Sequence, residues 1–288
     1  MRKVTRARKA FQALQARLPR ENVEVGSFSR HCLETSAGST PVLVYRPQAA
    51  ADSRLPVFIN LHGGGFVFGS ALDDDVWCRK IANAAACVVV NVDYHLAPEH
   101  KFPAALEECY DVAKWLHDNP SALNIDPGRI AVGGHSAGGN LAALLCLLAK
   151  KRGEFPLIYQ VLNYPPLDLS SDPFAKPATD TVLAARDQVF FNACYFHQPA
   201  DALNPQASPL LAADLAGLPA TLIITAEHDP LCREGSLYAE RLTAAGVNVT
   251  YRMFPGCMHA FTHFGPPPMA AAAWALIHEQ LKQAFYGK

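Results

Sequence analysis

Short apolar runs alternate along the chain with longer amphipathic stretches. Residues 42–46, 57–62, 87–93, 130–133, 158–163, 221–226 and 248–254 are expected to be strands. Val88-Val89-Val90 and Leu222-Ile223-Ile224 are unbroken aliphatic runs, the pattern of strands covered on both faces. Between them, residues 76–86, 103–117, 137–151, 234–245 and 270–285 are each long enough for a helix. Parallel neighbours need crossover connections, so this rhythm predicts an α/β fold with a mainly parallel sheet. One domain spanning residues 1–288 is expected, and no internal repeat is evident.

Two regions break the rhythm. Residues 1–40 precede the first clear strand, and residues 168–211 form an insertion punctuated by Pro and Asp, with one helix-like piece at 187–197. A long irregular insertion in a compact domain is usually functional, so the two regions together are expected to cap a site on the sheet. In the first of them Val4, Ala7, Phe11, Leu14 and Leu18 make one stripe of a helix ended by Pro19. Docking of this helix on its own domain is the favoured reading. A basic amphipathic helix lying on an anionic membrane is the alternative.

Composition narrows the class. Half of the residues are apolar and 18% are charged, which excludes intrinsic disorder. The net charge of −1 provides no field to recruit nucleic acid, although residues 1–20 hold seven basic side chains and no acid. The longest unbroken apolar stretches, 141–149 and 269–277, fall short of the roughly 20 residues of a membrane-spanning helix. Eight scattered cysteines without a CxxC pair point to reduced thiols and a cytoplasmic setting.

The most informative stretch is Ile130-Ala131-Val132-Gly133-Gly134-His135-Ser136-Ala137-Gly138-Gly139. An apolar strand enters a G-x-S-x-G turn and an apolar helix pattern follows at once, the context that makes Ser136 a candidate nucleophile. Side chains at 134 and 138 would collide with neighbouring elements, so glycine fits there. A second strand runs into His62-Gly63-Gly64-Gly65, where backbone N–H groups can be aimed at a pocket. This pattern supplies one wall of an oxyanion hole, and the N–H of Ala137 supplies the other.

Chain order then requires an acid and a histidine after late strands. Asp229 follows the strand at 221–226, and His259 follows the one at 248–254. Such a histidine takes the serine proton and returns it to the leaving group, while the carboxylate fixes its tautomer. Glu227 is the rival acid, expected on the opposite face of its strand. His263, His228 and His135 are the rival histidines. His259 and His263 have the spacing of a metal pair, but no glutamate lies between them and no third ligand is evident, so no metal is expected. Asp73-Asp74-Asp75 lacks the pattern of a calcium loop and reads as a helix-start cluster.

Together these residues resemble the hormone-sensitive-lipase-like family of α/β-hydrolases, which includes microbial carboxylesterases. The resemblance rests on His62-Gly63-Gly64-Gly65, the stretch from Asp93 to His100 with Phe102-Pro103-Ala104-Ala105, the turn from Gly134 to Asn140, Asp229-Pro230-Leu231 and His259-Ala260-Phe261. It implies an α/β-hydrolase fold with a mainly parallel eight-stranded sheet and a small helical cap. It also implies Ser136, Asp229 and His259 as the catalytic residues, an oxyanion hole of the N–H groups of Gly64, Gly65 and Ala137, and no cofactor. The chain departs from the family pattern in three places. His95 stands where arginine is usual, His135 where aspartate is usual, and Ala260 where glycine is usual. Two histidines in place of an oppositely charged pair suggest that positions 95 and 135 are spatial neighbours.

The expected activity is that of a serine carboxylesterase on short- to medium-chain acyl esters, through an acyl-enzyme. The expected partner is a small-molecule ester, not nucleic acid, and a homo-oligomer is left open. An amidase, deacetylase or arylformamidase-like enzyme on the same three residues is the first alternative. A non-catalytic small-molecule-binding member of the fold is the second.

Overall fold

The structure is a computed structural model that describes residues 2–15, 21–48, 54–177 and 182–287. Its strands are β1 (Ser27–Thr35), β2 (Gly38–Arg46), β3 (Leu55–Leu61), β4 (Val88–Val92), β5 (Ile125–His135), β6 (Tyr159–Asn163), β7 (Ala220–Ala226) and β8 (Val249–Phe254). Its α-helices are α1 (Arg2–Gln15), α2 (Asp75–Ala85), α3 (Ala104–Asp118), α4 (Ala137–Arg152), α5 (Ala185–Tyr195), α6 (Cys232–Ala244), α7 (Phe261–Phe264) and α8 (Pro267–Tyr286). The strands form one sheet in the order β1-β2-β4-β3-β5-β6-β7-β8. Pairing is parallel from β4 through β8 and antiparallel at β1–β2 and β2–β4.

Successive side chains of a strand point to opposite faces, and both faces here are apolar. Val57, Ile59, Leu61, Val88, Val90, Val92, Ile130 and Val132 pack under α3, α4 and α6. Phe58, Val89, Ala131, Leu222 and Ile224 pack under α2 and α8. The sheet is a central layer between two helical layers, so the aliphatic runs of the sequence are buried throughout β3 and β4.

The first region set apart by the sequence divides in two. Ser27–Thr35 is a strand paired with β2, so the stretch from residue 27 to 40 belongs to the sheet and not to a cap. Ahead of it, α1 docks on the domain. Val4 is buried, and Phe11 stacks on Phe68 with ring centroids 5.7 Å apart. The Arg8 guanidinium forms a two-pronged pair with Glu99 and donates to the carbonyls of Val67 and Ala97 at 2.8 and 2.7 Å. Leu18 and Pro19 lie outside the described residues. The insertion carries α5, whose Phe190 and Phe191 also meet Phe68, at 6.2 and 5.5 Å between ring centroids. None of the eight cysteines is in a disulfide. Among the described residues no helix is long and apolar enough to cross a membrane.

Candidate active site

β5 enters a turn at Ser136 and leaves as α4. Ser136 has φ 51° and ψ −122°, a conformation that costs an L-residue about 1–3 kcal/mol. Two contacts hold it there. Its N–H donates to the Asn163 carbonyl at 2.9 Å, and its own carbonyl accepts from Asn140 N–H at 3.1 Å. The glycines on either side are steric requirements. A Cβ at 134 would lie 2.3 Å from the Leu61 carbonyl oxygen, and one at 138 would lie 1.9 Å from it.

The loops after β7 and β8 deliver the partners expected from the sequence. Ser136 Oγ is 2.9 Å from His259 Nε2, and His259 Nδ1 is 2.7 Å from Asp229 Oδ2. The other Asp229 oxygen accepts the N–H of Leu231 at 2.9 Å. Asp229 is 3% exposed and His259 7%, so the pair is shielded from water while the serine faces a pocket. The rival acid is elsewhere. Glu227 accepts the N–H of Gly256 at the surface.

Gly65 and Ala137 line the same pocket as Ser136. The Gly64 carbonyl is turned back to accept the N–H groups of Val67 and Phe68, at a φ of 121° that favours glycine. A Cβ at Gly64 would stand 2.2 Å from the Phe68 carbonyl oxygen, and one at Gly65 would stand 2.5 Å from the Phe191 ring. A larger side chain at 64 would therefore clash within the loop itself, and one at 65 would clash with α5 beside the pocket.

Residues 58–263 match the family model described as alpha/beta hydrolase fold. The chain belongs to this α/β-hydrolase family. It is 40% identical over 253 residues to carboxylesterase NlhH of Mycobacterium tuberculosis, covering 85% of this chain and 79% of that one. It is 36% identical over 248 residues to an arylesterase of Saccharolobus solfataricus, with coverage of 85% and 79%. Among solved structures, a hyperthermophilic esterase of Pyrobaculum calidifontis superposes with a TM-score of 0.89 at 40% identity, covering 98% of this chain and 94% of that one. The resemblance read from the motifs is thus a family membership, and the sheet order is that of the α/β-hydrolase fold.

Behind the serine, this α/β-hydrolase carries a buried polar cluster. Asp74 is buried and sits 3.1 Å from His135 Nε2 and 3.3 Å from His263 Nε2, while Asn60 donates to its Oδ2 at 2.9 Å. The Asp triplet is a helix start, with Asp73 accepting the N–H of Ser70, Asp74 at the N-cap of α2 and Asp75 as its first residue, but the Asp74 side chain is turned to the two histidines. His135 Nε2 also lies 3.0 Å from the N–H of Gly63. With a proton on Nε2 the imidazole donates to Asp74, and without one it accepts from Gly63. The second state ties the residue before Ser136 to the glycine loop, and the first ties it to Asp74. The expected neighbourhood of His95 and His135 does not form. His95 Nδ1 pairs with buried Glu108 at 2.8 Å and its ring meets His100, whereas His135 meets Asp74 and His263. Each histidine has found its own carboxylate.

Burial alone would raise the Asp74 carboxyl, but the His135 and His263 imidazoles hold it well below the usual carboxylate range. Burial, reinforced by His135, pushes His263 down to about 4 against the opposing pull of Asp74. His278, which packs on Trp274, is pushed down by burial to about 4 as well. Asp74, His135 and His263 place one ligand atom each within 4.8 Å of one another, a set that differs from the His259/His263 pair considered from the sequence. His259 is committed to Ser136 and Asp229.

The two lowered histidines carry a pH dependence of stability. Between pH 6.5 and 4 the unfolded chain takes up protons at 263 and 278 that the folded chain refuses. Stability is therefore expected to fall as pH falls through that window, by about 3 kcal/mol for His263. Asp74 extends the loss at lower pH, below the usual carboxylate range. Urea midpoints measured from pH 7 to pH 4 test this, with His278→Gln expected to flatten the decline. A midpoint constant across the window would contradict it.

Sequence reasoning passed over Asp74 as a buried group, Tyr164 and the polar side chains on α5. Tyr164 packs its ring edge-on to His259 at 5.1 Å and places its hydroxyl 3.0 Å from His263 Nδ1. The only local signal was the Asn163-Tyr164-Pro165 turn at the end of an apolar strand.

Proposed function

We propose that Ser136, His259 and Asp229 are the nucleophile, the general base and the orienting acid of a carboxylic ester hydrolase. The observation that carries this reading is the unbroken line from Ser136 Oγ to His259 Nε2 at 2.9 Å and from His259 Nδ1 to Asp229 Oδ2 at 2.7 Å. As Ser136 Oγ attacks the ester carbonyl carbon, its proton passes to His259 Nε2. Asp229 holds the tautomer and stabilises the imidazolium that forms. The carbonyl oxygen gains charge and is met by the N–H groups of Gly64, Gly65 and Ala137. The last of these lies at the positive end of α4, and each such donor contributes about 2.7–4 kcal/mol. His259 protonates the departing alkoxide, leaving an acyl group on Ser136. Water that has lost a proton to His259 then releases the acid. Nucleophile, proton carrier and charge stabiliser all come from the chain, so the chemistry calls for no cofactor.

Relatives named carboxylesterase and arylesterase support a small ester as substrate. The insertion from 168 to 211 and α1 act as a cap in this reading. Its support is that Leu169, Phe191 and Asn192 of the insertion line the pocket with Ser136, and that Phe191 meets Phe68, on which Phe11 of α1 stacks. The cavity beside Ser136 has a volume of about 40 Å³, and so small a space favours short to medium acyl groups. Eight unpaired cysteines support a cytoplasmic setting.

A series of p-nitrophenyl esters from acetate to palmitate, run on wild type and Ser136→Ala, tests this function. Turnover is expected to be greatest among the shorter chains and to fall to background in the variant. A preference for palmitate would contradict the pocket assignment, and an unimpaired variant would contradict the nucleophile.

A further inference from the structure

The pocket beside Ser136 is not uniformly apolar. Lys176, Gln188 and Asn192 line it together with Gly65 and Ala137. Lys176 Nζ lies 2.6 Å from Glu234 Oε1 and 3.1 Å from Gln188 Oε1, and both members of the ion pair are nearly buried, at 12% and 9% side-chain exposure. The other Glu234 oxygen accepts the N–H groups of Leu167 and Asp168 at 2.6 and 2.9 Å. Lys176 thereby fixes the orientation of Gln188. A flipped amide would set its NH2 against an ammonium, so the oxygen faces the lysine and the NH2 faces away from it. Gln188 is 8% exposed, and its Nε2 is buried without an acceptor. Buried donors are almost always paired in folded proteins. Gln188 is among the residues that line the cavity beside Ser136, where a bound molecule can supply the missing acceptor.

We propose that Gln188, held by the Lys176–Glu234 pair, selects esters carrying a neutral oxygen acceptor close to the scissile carbonyl, as an ether, ketone or second acyloxy oxygen. The inference rests on the esterase reading above and names its substrate class. The acceptor is neutral for an electrostatic reason. Glu234 already balances Lys176, so a substrate carboxylate would bring an uncompensated charge into a buried site. A purely alkyl chain would leave Nε2 unpaired, and a site built to donate a hydrogen bond discriminates against the analogue lacking the acceptor.

Oxygen-for-methylene pairs test this at nearly constant shape. p-Nitrophenyl 3-methoxypropanoate is compared with p-nitrophenyl pentanoate, which places the acceptor on the acyl side. 2-Methoxyethyl acetate is compared with butyl acetate, which places it on the alcohol side. Each kcat/KM is divided by the ester's own hydroxide-catalysed rate constant. In wild type one of the two ether esters is expected to exceed its alkyl partner by about 3- to 10-fold, and the arm that responds identifies the side. In Gln188→Leu, and in Gln188→Glu, which keeps the lysine contact but lacks the donor, that ratio is expected to fall to about one or below. Equal or lower ratios in both arms of wild type, or a preference that survives both substitutions, would overturn the proposal while leaving ester hydrolysis intact. Absence of turnover on all four esters would instead remove the esterase reading and this inference with it.

Discussion

Replacing His259 with alanine is expected to lower kcat on a small ester by about 10⁴- to 10⁶-fold, with the fold retained. His259 is the only imidazole in contact with Ser136 Oγ among the described residues, so no neighbour can take over the proton. His263, one helical turn further on, has its Nε2 turned to Asp74 and its Nδ1 to Tyr164. Asp229→Asn should cost about 10⁴-fold, because an amide facing Nδ1 favours the tautomer that leaves Nε2 protonated and unable to accept the serine proton. His263→Ala, by contrast, should change kcat less than tenfold, its effect falling on stability. Steady-state rates on one p-nitrophenyl ester for the three variants check this ordering. A His263 variant as impaired as the His259 variant would reassign the base.

The second large effect is structural. Gly138→Ala is expected to destabilise the protein by about 3 kcal/mol or more. The added methyl would sit 1.9 Å from the Leu61 carbonyl oxygen and 2.5 Å from that of His62. All the atoms it meets there are backbone at the end of β3, so no rotamer change can relieve the overlap. Separation of β3 from the start of α4 is the remaining escape, and it would drag the glycine loop at 63–65 away from Ser136. Urea denaturation measures the loss. An unchanged midpoint with unchanged activity would show that the turn is looser than its geometry implies.

The sheet was legible where burial acts locally. Val88-Val89-Val90 needs no knowledge of its partners to be read as a strand packed on both faces, and it is buried throughout. Ser27–Thr35 was not legible because it is an edge strand with only Leu33 buried, so Ser, Arg, His, Glu and Thr fill most of its length. β5 begins at Ile125, five residues before the expected start, because Ile125 pairs with Leu55 across an irregularity containing Pro127 and Gly128. At the site, the Gly-x-Ser-x-Gly turn and the two late loops could be read from the sequence, since chain order and strand ends constrain them. Asp74 could not. Its burial depends on His135, 61 residues away, and on His263, 189 residues away. Nothing around position 74 distinguishes it from its two aspartate neighbours. The same holds for Gln188, whose significance comes from a lysine and a glutamate on separate segments.

The effects expected for the His259 and Asp229 variants presuppose that Ser136 Oγ is an activated nucleophile. Intact-mass and peptide mass spectrometry after incubation with a fluorophosphonate test that claim most directly. Wild type is expected to gain one phosphonyl group, mapped to Ser136, at a rate that collapses in His259→Ala. A protein that stays unmodified, or is labelled at another residue while Ser136 remains free, would contradict the account.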